Sequence, residues 1–342
     1  MIELRHLSKT FNPGTPSEHL AIDDLSLSLE SGDFVTIIGG NGAGKSTMLS
    51  LIAGSLSADG GEILLNNNDI SRLSEHRRAP YFGRVFQDPL MGTAADMTVL
   101  ENLALAYNRG HHHSPFRWSI RAKDKAYFKE RLSSLGLGLE NRMGQKVGLL
   151  SGGQRQALTL LMAVIRQPPS HQRILKDYVR FYDGDKKAAK EEVRKAYAEG
   201  KAKYRAECAK INADPALSPE EKQKRRREAY RRFDEAFRAY DVTKPVLMLD
   251  EHTAALDPQT AAKVLEITER FVRANALTTL MVTHNMKDAI RYGDRLIMMS
   301  KGKVVVDVRG PEKSKLTIEQ LMALFAKASS DDALSDSTIL GD

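Results

Sequence analysis

The chain of 342 residues has a single cysteine, Cys208, so no disulfide framework can form within it, which suits a reducing compartment. It also lacks long apolar runs. No window approaches the ~18 consecutive apolar residues that a membrane-spanning helix requires, and the opening MIELRHLSKTF has no signal-peptide core. A cytosolic protein is therefore expected. Hydrophobic residues still make up 42%, enough to bury a substantial core as one large domain or two average ones. The net charge of +7 raises the question of nucleic acid or an anionic membrane surface. Yet residues 169–243 hold 20 Lys and Arg against 14 Asp and Glu, leaving the remainder only +1. The basic character is local.

The most informative stretch is FVTIIGGNGAGKSTMLSLIAG, residues 34–54. Apolar, β-branched residues 34–38 read as a buried strand, followed by a glycine-rich turn and a helix that begins near Lys45. Gly39 and then Gly44-Lys45-Ser46 fit the phosphate-binding loop G-x-x-x-x-G-K-[ST]. The glycines let successive N–H groups point at phosphate oxygens, and the helix N-terminus adds partial positive charge. Lys45 is expected to reach the β- and γ-phosphates of a nucleotide, and the Ser46 hydroxyl to ligate Mg2+. In LLSGGQRQALTLLMAVIRQ, residues 149–167, Ser151 and two glycines head an amphipathic helix and make a second anion site. PVLMLDEH, residues 245–252, is an apolar strand ending in two carboxylates at the end where open α/β sheets bind ligands. Asp250 is expected to hold Mg2+, and Glu251 to orient and deprotonate a water. TTLMVTHN, residues 278–285, is a further strand leading to His284, which could bond the γ-phosphate or that water.

Together these motifs resemble the ATP-binding cassette of an ABC transporter. They run in that family's order: Walker A at 39–47, a glutamine loop at Gln87 in VFQDP, the signature LSGGQ at 150–154, Walker B through Asp250 and Glu251, a D-loop ending at Asp257, and the switch histidine His284. The resemblance implies an α/β P-loop NTPase with a RecA-like core, an antiparallel β subdomain and an α-helical subdomain over about 97–168. It assigns ATP binding to Phe11, which would stack on adenine, and to Gly39, Gly40, Asn41, Gly42, Ala43, Gly44, Lys45, Ser46 and Thr47. A core phenylalanine is the other reading of Phe11. Metal contact falls to Ser46, Gln87 and Asp250, and catalysis to Glu251, His284 and Gln87. ATP and Mg2+ are the implied cofactors. Ser151, Gly152, Gly153 and Gln154 would contact ATP held by a second copy of the chain, or by a paralogous cassette, in a head-to-tail dimer. Residues 88–105 resemble the groove that receives a membrane permease, so permease subunits are implied partners and the cytoplasmic membrane face the implied location. Gly40 and His252 stand where proline is frequent in the family. GGNGAGKST, GRVFQDPLMGTA, EHTAALDP and VTHNMKDAIRYGDRLIMM are similar to bacterial importers that work with a tryptophan/tyrosine-type substrate-binding lipoprotein, implying amino-acid-like cargo.

The resemblance covers 1–168 and 244–328, and is interrupted by 169–243. Within the interruption Val193, Tyr197, Gly200, Tyr204 and Ile211 recur at helical spacing, as do Tyr230, Phe233, Phe237 and Tyr240. NADPALSPEE between them supplies a turn and a helix start, with Ser218 as N-cap, Pro219 at the first position and Glu221 closing a capping box. A charged helical hairpin is expected, with the segment 174–182 packed at its base and the whole projecting from the periphery of the cassette. It could be a silent insertion, an arm for a protein partner, or, through KQKRRREAYRR, an arm for nucleic acid or anionic lipid. The last would fit a soluble ABC ATPase acting on nucleic acid or ribosomes. One cassette with an ordinary Walker A to signature distance favours a transporter. His111, His112 and His113 read as a loop rather than a metal site, 316–328 as a last helix and the acidic 329–342 as a disordered tail.

Overall fold

FVTIIG is an unbroken apolar run of the kind found in strands covered on both faces. The computed structural model places it at the centre of a sheet and describes every residue except 110–119, 166–170, 182–184, 238–244 and 328–342. In chain order the strands are β1 (Ile2–Phe11), β2 (His19–Leu29), β3 (Phe34–Gly39), β4 (Gly60–Leu65), β5 (Asn68–Asp69), β6 (Phe82–Val85), β7 (Val246–Asp250), β8 (Thr279–Val282), β9 (Arg295–Ser300) and β10 (Lys303–Arg309). The helices are α1 (Lys45–Ala53), α2 (Glu75–Arg78), α3 (Val99–Tyr107), α4 (Ala122–Ser133), α5 (Gly152–Val164), α6 (His171–Phe181), α7 (Lys186–Ala213), α8 (Pro219–Phe237), α9 (Pro258–Asn275), α10 (Met286–Arg291), α11 (Gly310–Ser314) and α12 (318–327). The chain divides into two units, Met1–Leu64 with Asp69–Gln167 and Pro245–Asp342, and Leu65–Asn68 with Pro168–Lys244.

The larger sheet runs in the order β10-β9-β3-β8-β7-β6, parallel from β9 to β6 with β10 antiparallel at one edge. Its registers, Ile37 opposite Val282 and Val282 opposite Asp250, bring the carboxyl ends of β3, β8 and β7 level. The strands that begin at Phe34, carry Asp250 and lead to His284 therefore end side by side, where sheets of this type bind ligands. A smaller sheet, β2-β1-β4-β5, carries the antiparallel β1–β2 pair that ends with Phe11 opposite His19.

Helices α3, α4 and α5 share an apolar cluster with β6 and β7, in which Leu103, Phe128, Leu132, Leu158, Leu160 and Leu247 are fully buried. Each such side chain contributes on the order of 1.5–3 kcal/mol by leaving water. Helix α3 starts at a capping box of Thr98 and Glu101, and α5 at one of Ser151 and Gln154. The sequence pattern carries α5 to Gln167. The helix ends at Val164, and Ile165 is extended, with its N–H on the Leu161 carbonyl. Arg109 lies half-buried against that end and donates to the carbonyls of Met162 and Ala163, 2.8 and 2.9 Å away, groups a helix terminus leaves unpaired.

In the second unit α7 and α8 are the two long helices read from 169–243, and α6 covers the shorter segment expected at 174–182, beginning three residues earlier. Ser218 caps α8, accepting the Glu221 N–H at 3.2 Å. Tyr197, Tyr204, Tyr230, Phe233 and Phe237 form a ladder of ring contacts 5.1–6.2 Å apart. The His171 ring joins it at 5.0–5.3 Å while its Nε2 lies 3.0 Å from Asp234. Ile174, Val193 and Phe237 are buried in the cluster at its base. The readings made of His111, His112, His113, Tyr240 and the tail, and the last residue of 174–182, fall outside the described residues.

Candidate functional site

Between β3 and α1 the chain curls through Gly39, Gly42 and Gly44 at positive φ of 158, 79 and 94°. Two of these are glycine for want of space as well. A Cβ on Gly39 would lie 2.3 Å from the Met299 carbonyl oxygen, and one on Gly44 2.5 Å from that of Ala21. The loop so formed delivers Lys45 as the first residue of α1, buried, with Nζ donating to the carbonyls of Gly39 and Gly40 at 2.8 and 2.9 Å. Burial lowers the pKa of its ammonium, and the carboxylates of Glu251 and Asp250 oppose that shift. The Ser46 hydroxyl, one residue on, donates to Asp250 Oδ1 at 3.1 Å.

A cleft of about 220 Å³ opens over this loop. Phe11, His19 and Ala21 line one side, residues 41–47 the floor, and Glu251 and His284 the other side. Glu251 follows the last residue of β7 in the left-handed region, φ 48°, a conformation that costs a non-glycine residue on the order of 1 kcal/mol or more. Its N–H is held by the Val282 carbonyl at 3.1 Å, and its Oε1 lies 2.5 Å from His284 Nε2. Strand β8 thus supplies the backbone anchor of this carboxylate, and the bend just after it the imidazole partner. Asp250, by contrast, remains in the strand and is shared between Ser46 and Arg84, whose Nη2 donates to Oδ2 at 3.0 Å.

Comparison with known proteins bears on what such a cleft belongs to. The sequence pattern of the family described as ABC transporter matches residues 22–170. A tyrosine transport ATP-binding protein of Clostridioides difficile is 35% identical over 96% of this chain and all of its own length. The chain belongs to the ABC transporter family. An energy-coupling factor transporter ATP-binding protein of Acetivibrio thermocellus is 23% identical over 94% of this chain and 84% of its own. Solved ATP-binding cassettes share the fold. A nucleotide-free cassette has a TM-score of 0.57 at 21% identity over 92% of this chain and 93% of its own, and a dimeric cassette with ADP and Pi one of 0.54 at 21% over 90% and 98%. The protein is accordingly an ATP-binding, ATP-hydrolysing subunit of an ABC transporter.

Of the cassette residues named from the sequence, Phe11, Asn41, Gly42, Ala43, Gly44, Lys45, Ser46, Thr47, Glu251 and His284 line the cleft. Asp250 reaches it through Ser46. Gln87 lies exposed in a bend after β6 and does not line it, and neither do Ser151, Gly152, Gly153, Gln154 and Asp257. These last sit together elsewhere. A Cβ on Gly152 would come 2.9 Å from Leu256, and one on Gly153 2.4 Å from Thr260, so the signature helix abuts the D-loop and the first turn of α9 closely. Asp257 caps α9, and its hydrogen bonds from Thr260 hold the carboxyl below its usual pKa. Gly40 needs neither positive φ nor space, so another residue type can stand there. Two contributors escaped the sequence reading. His19 reaches the cleft only because β2 pairs it with Phe11, which no local signal announces. Arg84 carried one, a charge inside the buried strand FGRV.

Proposed function

We propose that this cassette drives a bacterial importer of amino-acid-like small molecules, acting as a head-to-tail dimer on the cytoplasmic face of the membrane beneath two permease subunits. The observation that carries its catalytic half is the 2.5 Å contact of Glu251 with His284 on the wall of a cleft that Lys45 also lines. Adenine stacks on Phe11, and the loop N–H groups and Lys45 take the phosphates. Glu251 accepts the proton of a water that attacks the γ-phosphorus as the bond to the bridging oxygen of ADP breaks, and His284 fixes the orientation of Glu251. Ser46 and Asp250 present hard oxygen atoms 3.1 Å apart, a donor set that fits Mg2+. When bound there, Mg2+ neutralises charge on the phosphates. Gln87 couples the site to the segment 88–105 at the permease, and Ser151, Gly152, Gly153 and Gln154 complete the partner's site, with Asp257 beside them. The importer reading and its cargo rest on the full-length likeness to a protein named for tyrosine transport. A lipoprotein supplies substrate outside the cell.

Glu251→Gln tests the chemistry. Loss of the base is expected to lower turnover by at least about 100-fold, with ATP affinity unchanged; a variant that still hydrolyses near the wild-type rate would refute the assignment. Uptake of labelled tyrosine by cells with and without the chain tests the cargo, and equal uptake would reject it.

A further inference from the structure

Two arginines close to the P-loop helix are used in different ways. Arg78, buried at the end of α2, gives its donors to the backbone carbonyls of Leu73, Leu51, Ile52 and Ser71, at 2.7–3.0 Å. It ties the end of α1 to residues 71–73 and touches no chemistry. Arg84 spends its donors on side chains instead: Nη2 on Asp250 Oδ2 at 3.0 Å and Nη1 on Ser50 Oγ at 3.3 Å, with its guanidinium carbon 4.9 Å from the centre of the Phe86 ring. Its buried Nε has no hydrogen-bond partner among the described residues.

The register explains how it gets there. Strand β6 runs parallel to β7 with Arg84 opposite Met248, so Arg84 shares a sheet face with Met248 and Asp250, which lies two residues farther on. Helix α1 crosses that face, and Ser46 and Ser50, four residues apart, lie on one side of it. Arg84 thus joins three elements: the P-loop helix through Ser50, the Walker B strand through Asp250, and the start of the glutamine loop through Phe86. Each oxygen of Asp250 then has one partner. Oδ2 is held by a guanidinium fixed from the next strand, and Oδ1 is left to face Ser46.

We propose that Arg84 is a positioning residue for the metal-side carboxylate, holding Asp250 by Oδ2 so that Oδ1 and the Ser46 hydroxyl converge on one divalent cation. The inference rests on the reading of Asp250 as a metal ligand. A positive charge at this distance repels a cation, so the contribution of Arg84 is orientation: it fixes a rotamer that would otherwise swing between solvent and helix. Supporting partners of ligating carboxylates commonly govern metal affinity by about 10- to 100-fold. A lysine keeps the charge but cannot offer two diverging donors from one plane, so it can restore only part of the effect.

The test measures Mn2+ binding by its electron paramagnetic resonance signal in the full-length protein with ADP, and ADP binding separately in EDTA, for wild type, Arg84→Met, Arg84→Lys and Asp250→Asn. Arg84→Met is expected to raise the Mn2+ concentration for half-saturation by at least about tenfold while leaving ADP affinity in EDTA within about twofold. Arg84→Lys is expected to fall between, and it carries the same readout if the methionine variant fails to fold. A wild-type Mn2+ midpoint in Arg84→Met, with Asp250→Asn shifted, overturns the role of Arg84 alone. A wild-type midpoint in Asp250→Asn overturns the metal reading beneath it. Equal loss of ADP binding with and without metal makes Arg84 a structural tie like Arg78 and also overturns the proposal.

Discussion

His252 follows the left-handed Glu251 and is buried, with 2% of its surface exposed. The hydroxyl of Thr268 donates to the Val264 carbonyl at 2.8 Å, so the contact between Thr268 Oγ1 and His252 Nε2, 3.3 Å, requires the imidazole to donate. A neutral ring protonated at Nε2 satisfies this, and burial pushes the pKa down from 6.5 to about 4. Between those values the unfolded chain binds a proton that the folded chain refuses. The stability linked to this group is therefore complete above pH 6.5 and is lost as pH falls toward 4. At about 1.4 kcal/mol per pKa unit the full loss is about 3 kcal/mol, and at pH 5.0 it is already about 2 kcal/mol. His252→Gln keeps an N–H donor and removes the titration. Urea unfolding followed by circular dichroism in EDTA, at pH 7.5 and 5.0, should show wild type losing about 2 kcal/mol more than the variant on acidification. Equal losses, or a His252 proton resonance that titrates near 6.5 in the folded protein, would refute the reasoning.

Other perturbations follow from the packing. A Cβ on Gly83 would lie 2.1 Å from the Ala163 carbonyl oxygen, a backbone atom of the signature helix, whereas one on Gly40 meets nothing within 4 Å. Gly83→Ala should therefore cost about 1–3 kcal/mol in denaturant unfolding and Gly40→Ala less than about 0.5 kcal/mol. Equal costs would contradict the packing. Arg295, with its side chain 4% exposed, donates to Asp307 at 2.7 and 2.5 Å and to the Ser28 carbonyl at 2.6 Å. Asp307→Ala leaves that cation buried without its carboxylate and should cost about 3 kcal/mol near neutral pH. Arg295 holds the Asp307 carboxyl below its usual pKa, so the pair's contribution is present above the ordinary carboxylate range and disappears as pH falls through the lowered value. The cost of Asp307→Ala should shrink in acid, and a pH-independent cost would count against the pair.

What could be read in advance was what local geometry forces. Gly39 and Gly44 are glycines because a carbonyl stands where a Cβ would go, and that constraint writes itself into the sequence as a motif. The helix start at Ser151 was equally local, since its capping box is complete within four residues. Partners of isolated charges were not. Nothing in EHRR separates the exposed Arg77 from Arg78, which is buried by carbonyls of residues 27 and 26 positions away. Arg84 and Arg109 likewise acquire their roles from strand register and from the end of a distant helix. The left-handed Glu251 is set by its hydrogen bond to β8, contributed some thirty residues later.

The inserted unit shows the same division in one element. Its aromatic residues recur at helical spacing, so two facing helices could be inferred without any known fold. Gly200 in the middle of α7 should have weakened that inference, because glycine costs a helix interior roughly 1 kcal/mol relative to alanine. The reason for it lies on the other helix. A Cβ at position 200 would come 3.1 Å from the Phe233 ring, which also stacks on Tyr204 at 5.9 Å and tilts against Tyr197 at 5.8 Å. The glycine trades helix propensity for the close seating of one ring among its aromatic neighbours, and aromatic contacts of about 0.5–1.5 kcal/mol each are enough to offset it. Spacing alone revealed the stripe, but only the approach of α8 explains why its central position carries no side chain.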